Sequence, residues 1–203
     1  MSAKIMDGKK ISDEIRSEIR AEVEQLAKQG IRPGLAVILV GDDPASQVYV
    51  RNKAKACEQL GYHSEVVRLP AETSQEELME KIAQFNADPA IHGILVQLPL
   101  PAHLDEKPVL DAISPEKDVD GFHPVNVGKM MIGEDALLPC TPAGVIEMMK
   151  RSGISIAGKH AVVIGRSNIV GKPMSMLLLR EHATVTICHS RTPDLPDVTS
   201  RAD

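Results

Sequence analysis

Residues 35–40, LAVILV, constrain this chain more than any other segment: six consecutive apolar residues, flanked by Gly34 and Gly41. A run so short and so uniformly apolar suits a strand covered on both faces, as in the middle of a parallel sheet. Upstream, Ile11, Ile15, Ile19, Val23 and Leu26 fall on one helical face, with Gly30 placed to stop the helix and Pro33 beyond it. Downstream, Pro44 suits a helix start and Gly61 its end. A strand over 63–69 follows, then a helix opened by the capping pair Ser74 and Glu77, then a buried strand over 91–98. Strands and helices that alternate in this way pack economically as a right-handed parallel α/β layer.

After Leu98 the texture changes. Prolines at 99, 101, 108, 115, 124, 139 and 142 and glycines at 121, 128 and 133 predict loop or crossover over much of 99–142. Thr141-Pro142 reads as an N-cap followed by proline in the first helical position, with that helix ending near Gly153. A second α/β segment then has a strand over 160–164, a helix over 169–180 and a strand over 184–188. The boundary falls near 139–141, giving domains 1–140 and 141–203.

At 203 residues the chain can hold one ample core or two small domains, and 43% hydrophobic with 25% charged residues is a globular balance. A net charge of -5 argues against a nucleic-acid partner, and two Tyr and two Phe leave few platforms for stacking bases. Cys57, Cys140 and Cys188 form no CxxC pair, so neither a disulfide framework nor a metal site is expected, and a reducing cytoplasm fits best. The charged N-terminus is unlike a signal peptide, and no apolar run is long enough for a membrane span.

Four constellations could carry chemistry. In AVVIGRSNIVGKPMSMLL, Gly165, Ser167 and Gly171 lie where a strand hands over to a helix, a turn whose free amides and helix dipole suit a phosphate. The pattern is not a regular GxGxxG, so taken alone it supports a dinucleotide site and a purely structural turn equally. Roughly 20 residues on, an NAD-binding fold places a carboxylate for the ribose. Here that position reads Cys188-His189-Ser190-Arg191, which with Arg166 suits the extra phosphate of NADP; the alternative is that both arginines are ordinary surface charges.

Tyr49 and Lys53 are four residues apart on the helix after the first strand, hence on one face. Most such pairs are solvated, but this helix follows the carboxyl end of a parallel strand, where α/β sheets place ligands. Partial desolvation there would fit Lys53 for moving protons. Gln97 closes the 91–98 strand at the same edge, with an amide satisfied by loop backbone as the plainer alternative. In Lys117-Asp118-Val119-Asp120-Gly121, Asp118 suits an Asx-turn and Asp120 a ligand amine or ring N–H; the spacing fits no calcium loop.

Taken in order, YVRNKAKACEQLG, HGILVQLPLP, PEKDVDGFHPVNVGK, PCTPAGV and VVIGRSNIVGKPMSMLLL closely resemble the bifunctional methylenetetrahydrofolate dehydrogenase/methenyltetrahydrofolate cyclohydrolase family, over essentially the whole chain. The resemblance implies an N-terminal parallel α/β catalytic domain followed by a Rossmann-like NADP-binding domain. It implies an enzyme of one-carbon metabolism that oxidises the methylene bridge of tetrahydrofolate with NADP and hydrolyses the methenyl product to the formyl compound. By position, Lys53 matches the catalytic lysine, Gln97 the glutamine that tunes it and Tyr49 the aromatic packed on the aminobenzoyl group. Val96 and Leu98 join the substrate-binding set, and Asp120 matches the acid holding the pterin. Gly165, Arg166 and Ser167 match the phosphate loop, and Ser190 the second-strand contact; Ser46 lies in the matching loop with no role assigned.

The resemblance also implies tetrahydrofolate derivatives as ligands, a homodimer, and a site in the cleft between the two domains. Family members continue through further strands, a Pro-Gly-Gly-Val-Gly segment and a last helix, so 141–203 is expected to be the N-terminal part of a truncated NADP-binding domain. The competing expectations are an NADP oxidoreductase of another small substrate, and a non-catalytic folate-binding or dimerising fragment.

Overall fold

A computed structural model describes residues 5–203, which separate into two compact units. The first, Ser12–Val119, holds most of α1 (Gly8–Lys28), then β1 (Gly34–Val40), α2 (Pro44–Leu60), β2 (His63–Leu69), α3 (Gln75–Ala87), β3 (Gly93–Val96) and α4 (Glu106–Asp111). Its sheet has the order β2-β1-β3, with β1 parallel to both neighbours. The 35–40 run is thus central, and both of its faces are covered. Ala36, Ile38 and Val40 cluster with Leu78, Ile82 and Phe85 of α3, while Val37 and Leu39 cluster with Val50 of α2. Truncating a fully buried residue such as Ile38 to Ala would cost about 2–5 kcal/mol.

Local signals set the ends of these helices. Asp43 accepts from the Ser46 amide at 2.7 Å and caps α2, with Pro44 in the first turn and Gly61 ending the helix at a left-handed φ of 83°. Ser74 and Glu77 form the reciprocal capping box expected for α3. β3 is shorter than the expected 91–98 strand. The amide of Ile91 turns back to Asp88 O, and Pro99 has no amide with which to extend the ladder.

The second unit is Asp120–Asp203 together with residues 5–11. It contains α5 (Pro124–Ile132), α6 (Cys140–Arg151), β4 (His160–Ile164), α7 (Gly171–Arg180), β5 (Thr184–Cys188) and α8 (Leu195–Thr199). β4 and β5 pair in parallel, and Met130, Ile146, Ile156, Leu177, Leu178 and Ala183 form the core.

Loop and turn take most of 99–142, as expected, although α4 and α5 lie within it, α5 opening on Pro124 with His123 accepting from the Val125 amide. Two expectations need correction here. α6 starts at Cys140 and is not capped by Thr141: the first helical bond runs from Ala143 N to Pro139 O at 3.0 Å. Pro142 therefore sits third in the helix, where its missing amide is still among those left unpaired in a first turn. α7 starts at Gly171, not 169, because Ser167 Oγ takes the amides of Val170 and Gly171 and holds the preceding residues as a turn.

Among the described residues no helix is long and apolar enough to cross a membrane, and no group of three or more His, Cys, Asp or Glu could hold a metal ion.

Candidate active site

In the first unit the site is built where β1 and β3 end. α2 leaves from the carboxyl end of β1 and presents Tyr49, which is 62% exposed, one turn before the half-buried Lys53. β3 ends at Val96, and the next residue is still tied to the sheet, with Gln97 N donating to Ile38 O at 2.8 Å. That bond aims the Gln97 side chain at α2, where Lys53 Nζ donates to Gln97 Oε1 at 3.2 Å. The other end of the amide is also committed: Gln97 Nε2 donates to Leu98 O at 2.7 Å. Only one orientation of the amide satisfies both contacts, so the oxygen is turned to the ammonium.

The remaining substrate candidates fall into two kinds. Val96 is 1% exposed with its side chain in the core, so what it can offer a ligand is backbone; Leu98 is half-buried. Asp118 is 2% exposed and bridges in parallel to Ile94 of β3, whereas Asp120 is half-buried at the start of the second unit. Sequence reasoning missed the cap that Asp43 makes beneath Tyr49 and Lys53. An aspartate directly before a proline at a helix start was the available signal.

In the second unit, the turn between β4 and α7 brings Gly165, Arg166 and Ser167 to the carboxyl edge of the parallel pair. Gly165 takes a φ of 131° and donates to Cys188 O at 2.7 Å, which holds the turn beside the end of β5. Gly171 is required by close approach, since a Cβ there would lie 2.3 Å from Gly165 O. Ser167 Oγ accepts from Val170 N at 3.1 Å and Gly171 N at 3.2 Å, and Lys172 N donates to Ser167 O at 3.0 Å. Among the described residues no hydrogen bond engages the amides of Arg166, Ser167 or Asn168. After β5, His189 N donates to Thr192 Oγ1 and Arg191 N to His189 Nδ1, a local turn that leaves Ser190 and Arg191 exposed.

These features fit a dinucleotide phosphate: glycines that let backbone come close, amides left for an anion, and a helix N-terminus behind them. No carboxylate stands at the end of β5 to claim a ribose hydroxyl, and Arg166 and Arg191 are both exposed cations. The cradle therefore suits NADP.

A parallel α/β unit with a lysine–glutamine pair at its carboxyl edge, followed by a second unit with a dinucleotide turn, defines a nicotinamide-dependent enzyme class. Known proteins place it more closely. Residues 6–120 match the tetrahydrofolate dehydrogenase/cyclohydrolase catalytic domain, and residues 139–203 match the NAD(P)-binding domain of the same family. The bifunctional protein FolD of Moorella thermoacetica is 63% identical over 203 residues, covering 100% of this chain and 72% of the relative. That of Halalkalibacterium halodurans is 61% identical, covering 100% and 73%. Among solved structures, the bifunctional methylenetetrahydrofolate dehydrogenase/cyclohydrolase of Campylobacter jejuni superposes with a TM-score of 0.97 at 49% identity, covering 100% of this chain and 72% of that one. The Trypanosoma brucei enzyme, solved with NADP and an inhibitor, gives 0.95 at 42% identity, covering 100% and 71%. The chain belongs to the tetrahydrofolate dehydrogenase/cyclohydrolase family.

Proposed function

We propose that the protein oxidises 5,10-methylenetetrahydrofolate to the methenyl cation with NADP and hydrolyses that cation to 10-formyltetrahydrofolate. The observation that carries this reading is the Lys53–Gln97 contact at the carboxyl edge of β3. Bound NADP supplies the acceptor for the hydride leaving the methylene carbon. The phosphates are assigned to the amides of 166–168, and the extra phosphate to Arg166, Ser190 and Arg191, since guanidinium groups hold phosphate bidentately.

The hydrolysis needs proton handling at a fixed point. Water adds to the methenyl carbon, the bond from that carbon to N5 breaks, one water proton ends on N5 and the other leaves. Lys53 is assigned the transfer, because Gln97 holds its Nζ in one place and α2 keeps it half-buried. Tyr49, one turn away and exposed, is assigned to pack on the aminobenzoyl ring, and Asp120 to accept from the pterin N–H groups. Val96 and Leu98 complete the substrate-binding set through backbone and partial side-chain contact.

The proposal extends to a homodimer, closed two-fold dimers being the commonest oligomers, and to a cytoplasmic enzyme, in keeping with the three free cysteines. The test is an assay with 5,10-methylenetetrahydrofolate and NADP that follows NADPH and the methenyl absorbance band. Coupled appearance of NADPH and the methenyl band, followed by decay of that band, is expected; no NADPH with this substrate overturns the reading.

A further inference from the structure

Lys117 has no role in the chemistry assigned above, yet its side chain is more fully engaged than that of Lys53. Its Nζ donates to Phe85 O at 3.0 Å, Asn86 O at 2.9 Å and Asp88 O at 2.8 Å. An ammonium has three donors, and three backbone carbonyls at the end of α3 take all of them. Phe85 and Asn86 lie in the last turn of α3 and Asp88 caps it, an end where the dipole favours a cation; Phe85 O also accepts from Asp88 N at 3.3 Å and Asp88 O from Ile91 N at 3.2 Å.

The contact fixes a piece of chain that has little regular structure of its own. Asn86 pins the same stretch from the helix side, its Nδ2 donating to Ala112 O at 2.7 Å and its Oδ1 accepting from Ser114 N at 2.9 Å. From the sheet side, Ile94 N donates to Lys117 O at 2.7 Å, and Asp118 bridges to Ile94 in parallel. Close approach to the strand depends on Gly93, where a Cβ would lie 2.4 Å from Val119 Cγ1. The Lys117-Asp118-Val119 backbone is therefore clamped between the end of α3 and β3. It runs in the direction of the strand that delivers Gln97, and the next residue in the chain is Asp120.

We propose that Lys117 is a positioning residue for folate binding: its ammonium, saturated by the α3 carbonyls, sets the register in which the Asp118–Asp120 segment leaves β3. The inference rests on the folate reading above, through the role assigned to Asp120. Replacing the ammonium by a methyl thioether removes three charge-assisted bonds, leaves Asn86 O without its side-chain donor and loosens the hold of α3 on residues 117–119, with only the Asn86 contacts at 112 and 114 remaining. Small displacements of a group that orients substrate are costly, so the effect belongs in substrate binding more than in stability.

The test compares wild type with Lys117→Met and Lys117→Arg, each assayed as folded enzyme well below its melting temperature. For Lys117→Met the KM for 5,10-methylenetetrahydrofolate should rise on the order of 10-fold to 10²-fold with the KM for NADP unchanged. Lys117→Arg keeps the charge but presents a planar fork to three converging carbonyls, so its folate KM should lie between the two. A lowered melting temperature with both KM values unchanged overturns the proposal and leaves Lys117 a structural cap only. If Lys117→Met does not fold, Lys117→Arg decides alone by the same two readouts. Wild type lacking folate turnover would instead sink the functional reading itself, so the two failures are distinguishable.

Discussion

Gln97 holds Lys53 with one end of its amide and the loop with the other: Oε1 accepts from Lys53 Nζ at 3.2 Å while Nε2 donates to Leu98 O at 2.7 Å. Because Gln97 N is itself bonded to Ile38 O, the orientation of the ammonium is referred back to β1, the central strand of the first unit's sheet. A flexible lysine is thereby given a fixed end, which is what proton transfer to a defined atom requires.

Gln97→Ala removes both contacts without adding charge. Cyclohydrolase turnover should fall on the order of 10²-fold while the KM for NADP is unchanged. Gln97→Glu should not restore it, because a carboxylate sets a second oxygen against Leu98 O where a donor stood. Steady-state assays of both activities check this, and full hydrolysis by Gln97→Ala would remove Gln97 from the mechanism.

Gly171→Ala tests the dinucleotide turn. The added Cβ meets Gly165 O at 2.3 Å, so the turn and α7 must move apart, at a cost of about 1–3 kcal/mol. A lower melting temperature and a raised KM for NADP should appear together in thermal unfolding and cofactor titration. The Lys53-dependent hydrolysis of preformed methenyl substrate should survive.

Asp43 links the site to pH. Its carboxyl is held below the ordinary value of 3.8, first by the Ser46 amide and then by the Ser46 hydroxyl. A depressed folded-state value means the cap stabilises α2 fully above that ordinary value, and loses its effect as pH falls through the lowered one. Asp43→Ala should therefore melt earlier than wild type at neutral pH, with the gap closing in strong acid. Thermal unfolding across pH checks this, and a gap constant to the lowest pH would assign the loss to something other than the charged cap.

Much of this was legible because the strongest signals are local. The 35–40 run, the Ser74–Glu77 box and the strands 63–69, 160–164 and 184–188 were read directly, since apolar periodicity and caps act within a few residues. Gln97 stands out through its place at a strand end, and Tyr49 and Lys53 through their four-residue spacing on the helix that follows β1. What escaped depends on contacts distant in sequence or on competing local bonds. Lys117 finds its carbonyls 29 to 32 residues earlier in the chain, and no pattern near 117 announces them. Thr141 looked like a cap, but Pro139 already provides the turn and the acceptor carbonyl. Proline density marks 99–142 as mostly loop, which it is, but hides the two short helices inside it: Pro124 opens one and Pro108 lies within the other.

The most direct test of the central claim is Lys53→Met, which removes the amine while keeping most of the volume. With wild type as reference, hydrolysis of methenyltetrahydrofolate and affinity for NADP are measured on the same preparation. The account predicts a loss of hydrolysis of at least roughly 10²-fold with NADP affinity unchanged. Hydrolysis at the wild-type rate would contradict it and require another group to carry the proton.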